Sequence, residues 1–197
     1  MQAMTLIMKK LLLTSWSFLM LIFILNSQVP DEVIVPAGKR VAECFPPESR
    51  YLYPGFKQGQ VNLHNGNHNS ARLNYNFLLG EMEFIRERDT LTIINKKDIH
   101  SIIIDKDTFL LENGYIRLVG SGPVRVGLKQ NISLKDILRK GAMGTINRTS
   151  AVDTYNTVPL DGRIYDIVPN EDWVFRKTEE YLFSVGSGEF LPFSKRN

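Results

Sequence analysis

The sequence predicts a mostly β domain, an antiparallel β-meander sheet with one short helix, preceded by an N-terminal hydrophobic signal or anchor helix. Three observations carry that reading. From residue 51 onward, short runs alternate apolar and polar residues with period two, the spacing that turns one face of a strand toward a core. Turn residues interrupt those runs at intervals of roughly 8–12 residues, as a meander requires. Only one later stretch, residues 133–140, carries both a helix start and a helix stop.

Residues 1–27 form the first element. "MQAMTLIMKK" ends in two lysines, and the apolar block Leu11 to Leu25, "LLLTSWSFLMLIFIL", follows it. A positive start before such a block reads as a secretory signal. The block is short of the roughly 20 apolar residues that span a bilayer. Ser27 is an acceptable small residue for cleavage, whereas Leu25 stands where Ala would be better, so a cleaved signal peptide and an uncleaved inner-membrane anchor both stay open. Either one exports the chain to the periplasm or cell envelope. Residues 28–50 hold four prolines and little periodicity, which reads as an extended tether with one edge strand near Val33–Val35. Cys44 is the only cysteine, so no intrachain disulfide forms. Glu43 before it rules out a lipid-attachment site, and a buried, inert thiol is expected.

The β domain opens with a hairpin. Val61 and Leu63, then Ala71, Leu73, Tyr75 and Phe77, are all odd-numbered. A three-residue loop, Asn65–Gly66–Asn67, keeps them on one face and pairs Val61 with Ala71. In "LNYNFLLGEMEFI" (73–85) the apolar phase flips at Leu78–Leu79–Gly80, as at a turn or bulge. Asn74, Asn76, Glu81 and Glu83 then fall on the opposite face, which is expected to be wet. Strands follow at 89–94, 101–105, 108–112, 115–119 and 124–128, with turn signals at Lys106–Asp107 and Asn113–Gly114. Ser133 as a cap, Asp136 three residues on and Gly141 past the basic end predict a helix over 133–140. A polar stretch, Gly141 to Asn156, leads to further β runs at 163–168, 172–177, 181–185 and 189–193. The echo of "YIRLVGSGPV" in "YLFSVGSGEF" predicts one hairpin device used twice. The domains expected are therefore 1–27 (leader), 28–50 (tether), 51–130 (meander), and 131–197 completing the same sheet.

Composition narrows function. At 43% hydrophobic and 23% charged, the chain is an ordinary globular one. Without the two leader lysines, 22 basic residues stand against 21 acidic. A nearly neutral body gives no electrostatic case for nucleic acid. Both Gly-Ser-Gly loops lead into strands, so neither sets a helix N-terminus against a phosphate. The hairpin register sets His64 beside His68, which is half a zinc site at best, and polar hairpin residues are the simpler reading. "DKDTFLLE" (105–112) lacks the glycine and the twelfth-position glutamate of a calcium loop. No Gly-x-Ser-x-Gly elbow is present. Asn131 and Asn147 head glycosylation triplets that matter only in a eukaryotic host. No cofactor is implied. The better binding candidates are aromatic: Tyr51, Tyr53 and Phe56 in "YLYPGF", with Trp173 and Phe175 in "EDWVFRK".

Taken together, "YLYPGFKQGQV", "LNYNFLLGEMEFI", "DTL" followed by "INKKDI", "IDKDTFLLENGYIRLV" and "KGAMGTINRTSA" resemble a family of exported proteins of Gram-negative bacteria that has no assigned function. The resemblance spans about residues 51–197. It implies an envelope location and brings no catalytic residues. The expected function is a non-catalytic domain that binds a partner or scaffolds through a sheet face. A small-ligand or glycan binder with an aromatic sheet face is the alternative, and a hydrolase seated near 141–156 the second alternative. Envelope proteins or glycans are the expected partners, and the membrane is met only through the N-terminal segment.

Overall fold

The period-two runs become twelve strands of one antiparallel sheet in a computed structural model that describes residues 32–140, 146–150 and 162–193. The leader lies outside the described residues, as does most of the polar stretch 141–156. The strands are β1 (Glu32–Val35), β2 (Lys57–Leu63), β3 (His68–Asn76), β4 (Glu81–Arg86), β5 (Asp89–Thr92), β6 (Ile99–Ile104), β7 (Asp107–Leu111), β8 (Tyr115–Gly120), β9 (Val124–Lys140), β10 (Ile146–Ser150), β11 (Asp172–Val185) and β12 (Leu191–Pro192). Two single-turn helices, α1 (Val41–Cys44) and α2 (Pro47–Arg50), follow β1. The strand order is β1-β11-β9-β8-β7-β6-β2-β3-β4-β5, with β10 beside β9 and β12 beside β11.

One face of this sheet is the core, built from Leu73, Tyr75, Met82, Ile102, Ile104, Phe109, Ile132 and Phe175 among others. Strands five places apart in the order contribute to it, so the sheet curls until they meet. Ile132 N–H of β9 donates to Phe77 O at the end of β3, 2.7 Å, and Tyr75 Oη donates to Gln130 O, 2.8 Å. A second, smaller cluster of Ile116, Leu182 and Phe190 covers the outer face near the β8–β9 hairpin.

Three expectations are corrected here. Residues 133–140 form no helix; they are the second half of β9, paired with β11. Lys135 is the extra residue of a bulge, since Phe175 faces Leu134 while Val174 faces Asp136. A bulge moves the apolar phase by one, so Leu134, Ile137 and Leu138 acquire helical spacing inside a strand. Residues 32–50 are no tether, because Val35, Val41 and Phe45 are fully buried. Their prolines suit the edge, with Pro36 just past β1 and Pro47 in the first turn of α2. The edge strand itself forms as expected, Val33 opposite Phe175. Finally, a 3-10 helix at Gly162–Asp166 takes up most of the strand expected over 163–168, and the runs at 172–177 and 181–185 fuse into β11.

The first hairpin keeps its odd-length loop, closed by Leu63 N–H to Asn67 O at 2.8 Å. The odd-numbered set therefore stays on the core face, but Val61 meets Asn69 rather than Ala71. Gly59 is what faces Ala71, and it sits between β3 and β6 with no room for a side chain. An added Cβ would lie 2.8 Å from Ile103 O and 2.8 Å from Leu73 Cδ1. Gly59→Ala is expected to lower unfolding free energy by roughly 1–3 kcal/mol, because paired strands on both sides prevent relief. A shift in urea midpoint worth less than ~0.5 kcal/mol would mean the two strands part easily.

Candidate functional site

The asparagines of β3 are where sequence and structure differ most. Asn74, Asn76 and Glu83, expected on a wet face, are 1%, 0% and 5% exposed. The side chains that meet Asn76 and Glu83 are Tyr165 and Tyr51, the latter from a segment that runs beside β3. Upstream of β2 the backbone kinks at Pro54–Gly55, and Asn74 fills the gap in the ladder. Its amide donates to Tyr53 O at 2.9 Å and its carbonyl accepts Tyr53 N–H at 3.1 Å. Pairing then resumes, with Leu52 N–H to Tyr75 O at 3.0 Å and Phe77 N–H to Arg50 O at 2.8 Å.

Asn76 uses all four of its hydrogen-bonding positions. Its Oδ1 accepts the N–H groups of Leu78 and Leu79 at 3.0 and 3.2 Å, holding the turn into β4. Gly80, at φ +66, closes that turn. The Nδ2 donates to Glu83 Oε2 at 3.0 Å and to the Tyr165 hydroxyl. Glu83 also takes a hydrogen bond from Tyr51, whose phenol is pushed up by burial first and by that carboxylate second. The Arg50 guanidinium lies 4.7 Å over the Tyr165 ring and donates to Phe45 O at 2.7 Å. The constellation ties two loops to the sheet, with Asn76 fully committed at its centre.

A second polar chain crosses the core-side face. Tyr53 Oη donates to Asp107 at 2.5 Å, and Asp107 pairs with Arg117 at 3.5 Å. Arg117 donates to Gln130 at 3.3 Å, which donates to Glu179 at 2.6 Å. Lys57 pairs with Asp105 and stands 4.7 Å over the Tyr53 ring. Burial and then the Asp107 contact push the Tyr53 phenol up, so it stays a proton donor.

The aromatic candidates do not form one surface. Tyr51 packs edge-on to Phe56 at 5.4 Å, while Tyr53 belongs to the chain just described. Trp173 and Phe175, offered as part of a binding face with the core as their other reading, are core residues. Phe175 meets Phe45 edge-on at 5.2 Å and lies tilted against Trp173 at 6.1 Å. The corrected register places His68 opposite Asn62 and leaves His64 in the loop, where it contacts His100 at 5.4 Å. Among the described residues no group of three or more His, Cys, Asp or Glu could hold a metal ion. Cys44 is half-buried beside the core, its thiol pushed up by burial and then by Glu43. The two Gly-Ser-Gly loops meet at one end of the sheet, where Gly186 N–H donates to Pro123 O at 3.1 Å. Among the described residues no helix is long and apolar enough to cross a membrane.

Two features escaped the sequence reading. One is an apolar strip on the core-side face where β9, β11 and β12 run past the core. Tyr181, Val185, Leu191 and Phe193 are each more than half exposed. Phe183 links them, facing Leu191 in register and stacking on Phe193 at 5.0 Å. The other is a cleft of about 350 Å³ between the odd-numbered face of β2–β3 and residues 93–99. Alternation marked its floor, but nothing in the sequence brings residues 93–99 over it. Comparison with protein-family models, with curated proteins and with solved structures finds no match, so function has to be argued from these sites.

Proposed function

We propose that this is an exported, non-catalytic protein of the cell envelope that binds a partner protein through the apolar strip of β9, β11 and β12. The strip is the observation that carries the reading. It holds two aromatic and two aliphatic side chains in adjoining strands, all more than half exposed, and surfaces of that kind mark interaction sites. Export rests on the lysines and apolar block of residues 1–27. The polar constellations support a non-catalytic role, because their groups are used against one another.

A photo-cross-linking amino acid at position 193, in cells of the native host, tests this. One discrete adduct is expected there, and none from the same probe at Thr108. Replacing Tyr181 and Leu191 with Ser should abolish the adduct without moving the unfolding midpoint by more than a few degrees. Equal labelling at both positions, or none at 193, would refute the strip as an interface. A second reading, small-ligand binding, has the cleft over Leu73 in its favour.

A further inference from the structure

We infer that the cleft between β2–β3 and residues 93–99 binds the hydrocarbon chain of a single-chain amphiphile whose head is uncharged and donates hydrogen bonds. The inference rests on the small-ligand reading and names its ligand class.

The apolar part comes first. Leu73, Phe84 and Ile93 line the cleft, and Phe84 is its one aromatic side chain. A sugar ring needs flat aromatic faces and converging polar groups; an aliphatic wall offers dispersion contacts to methylenes instead. Its volume, about 350 Å³, is at the small end of ligand pockets and suits a chain of roughly ten carbons better than a diacyl lipid. The floor is continuous with the main core, since Leu73 belongs to both. A chain seated there extends a surface that is already dry.

The polar part sets the head. Asn69, Asn95 and Asp98 line the cleft among otherwise apolar side chains, and all three are exposed. The asparagine amides both donate and accept, whereas the Asp98 carboxylate only accepts, so a head that donates hydrogen bonds, such as a hydroxyl, can be satisfied at all three. Asp98 disfavours a carboxylate or phosphate head at the same place through like charge. The Lys96 ammonium, two residues before Asp98, is paired with Glu81.

The test uses monodecanoylglycerol, decanoate, and a monodecanoylglycerol carrying a diazirine at its chain end. Monodecanoylglycerol should bind saturably, and the diazirine should label peptides bearing Leu73, Phe84 or Ile93. Ala71 also lines the cleft, so Ala71→Trp should fill it and weaken binding by at least about tenfold. Decanoate should bind about tenfold more weakly than monodecanoylglycerol, and Asp98→Asn should close most of that gap. If Ala71→Trp loses its near-ultraviolet circular dichroism, Ala71→Leu and the labelling map decide. Labelling confined to β11 and β12, no saturable binding, or equal binding by a folded cleft-filled variant would overturn the inference. Any of these three failures, with the cross-link at 193 intact, would leave the partner-binding reading standing.

Discussion

Asn76→Ala is expected to lower the unfolding free energy by about 3 kcal/mol or more, although it removes only a small amide. The substitution leaves Glu83 Oε2 and the N–H groups of Leu78 and Leu79 without their shared partner in a place water does not reach. Each buried group left unpaired costs roughly 1–3 kcal/mol, less whatever local relaxation recovers. Asn76→Asp should do no better. It keeps the acceptor for the turn but sets a second carboxylate against Glu83 and removes both donors. Glu83→Gln is expected to be milder, about 1 kcal/mol, because an amide still offers Asn76 an acceptor. Urea denaturation gives the answer as a fall in midpoint at unchanged slope. A loss below ~1 kcal/mol for Asn76→Ala would mean that residues 50–53 and Tyr165 do not seal the outer face of β3–β4.

Tyr75→Ala should cost more still, about 3–5 kcal/mol, as a large core truncation. The ring touches Phe77, Tyr115 and Phe109 at centroid distances of 5.6, 5.8 and 6.0 Å, so its loss opens a cavity that rigid neighbours cannot collapse. Tyr75→Phe separates packing from the hydroxyl. It keeps the ring and removes only the bond to Gln130 O, for roughly 1 kcal/mol. The phenol also links stability to pH. Burial, and then the Glu81 carboxylate, raise it above the ordinary range, so the folded state keeps a proton that the unfolded chain gives up. That contribution is full below the unfolded value near 10 and is lost as pH climbs through the folded one. Tyr75→Phe should therefore flatten the alkaline fall in stability by up to one proton. An unchanged slope would show that other phenols carry the effect.

What the sequence made legible was the alternation, and what it hid was whatever covers each face. The odd-numbered set from Val61 to Phe77 was correctly placed on the core side, and the Leu78–Gly80 turn was correctly located. Parity says which residues share a face; it does not say that the opposite face is wet. Asn76 and Glu83 are buried because two distant segments lie over them, a tertiary fact with no local signature. At Lys135 a bulge gave a strand the spacing of a helix, so propensity and period agreed on the wrong element. Residues 32–50 hid for another reason. Val35, Val41 and Phe45 are isolated anchors, and isolated anchors have no period to detect. The apolar strip escaped for a related reason, since Tyr181 and Phe193 have the residue types of a core strand and differ in being more than half exposed.

The place of β1 has a consequence for how the chain folds. Ala37 N–H donates to Asp172, a partner 135 residues further along the chain, and among the described strands β1 pairs only with β11. During synthesis at roughly 5–20 residues per second, the segment around Val35 waits on the order of ten seconds for its partner strand. Until then its buried side chains are exposed, and the edge of β9 that later receives β11 is open. Such distant pairings also put the chain among high-contact-order folders, which take milliseconds to seconds once complete. The first residues of the fold to be made are therefore among the last to be secured, and a holding chaperone acting on this protein would find its substrate there.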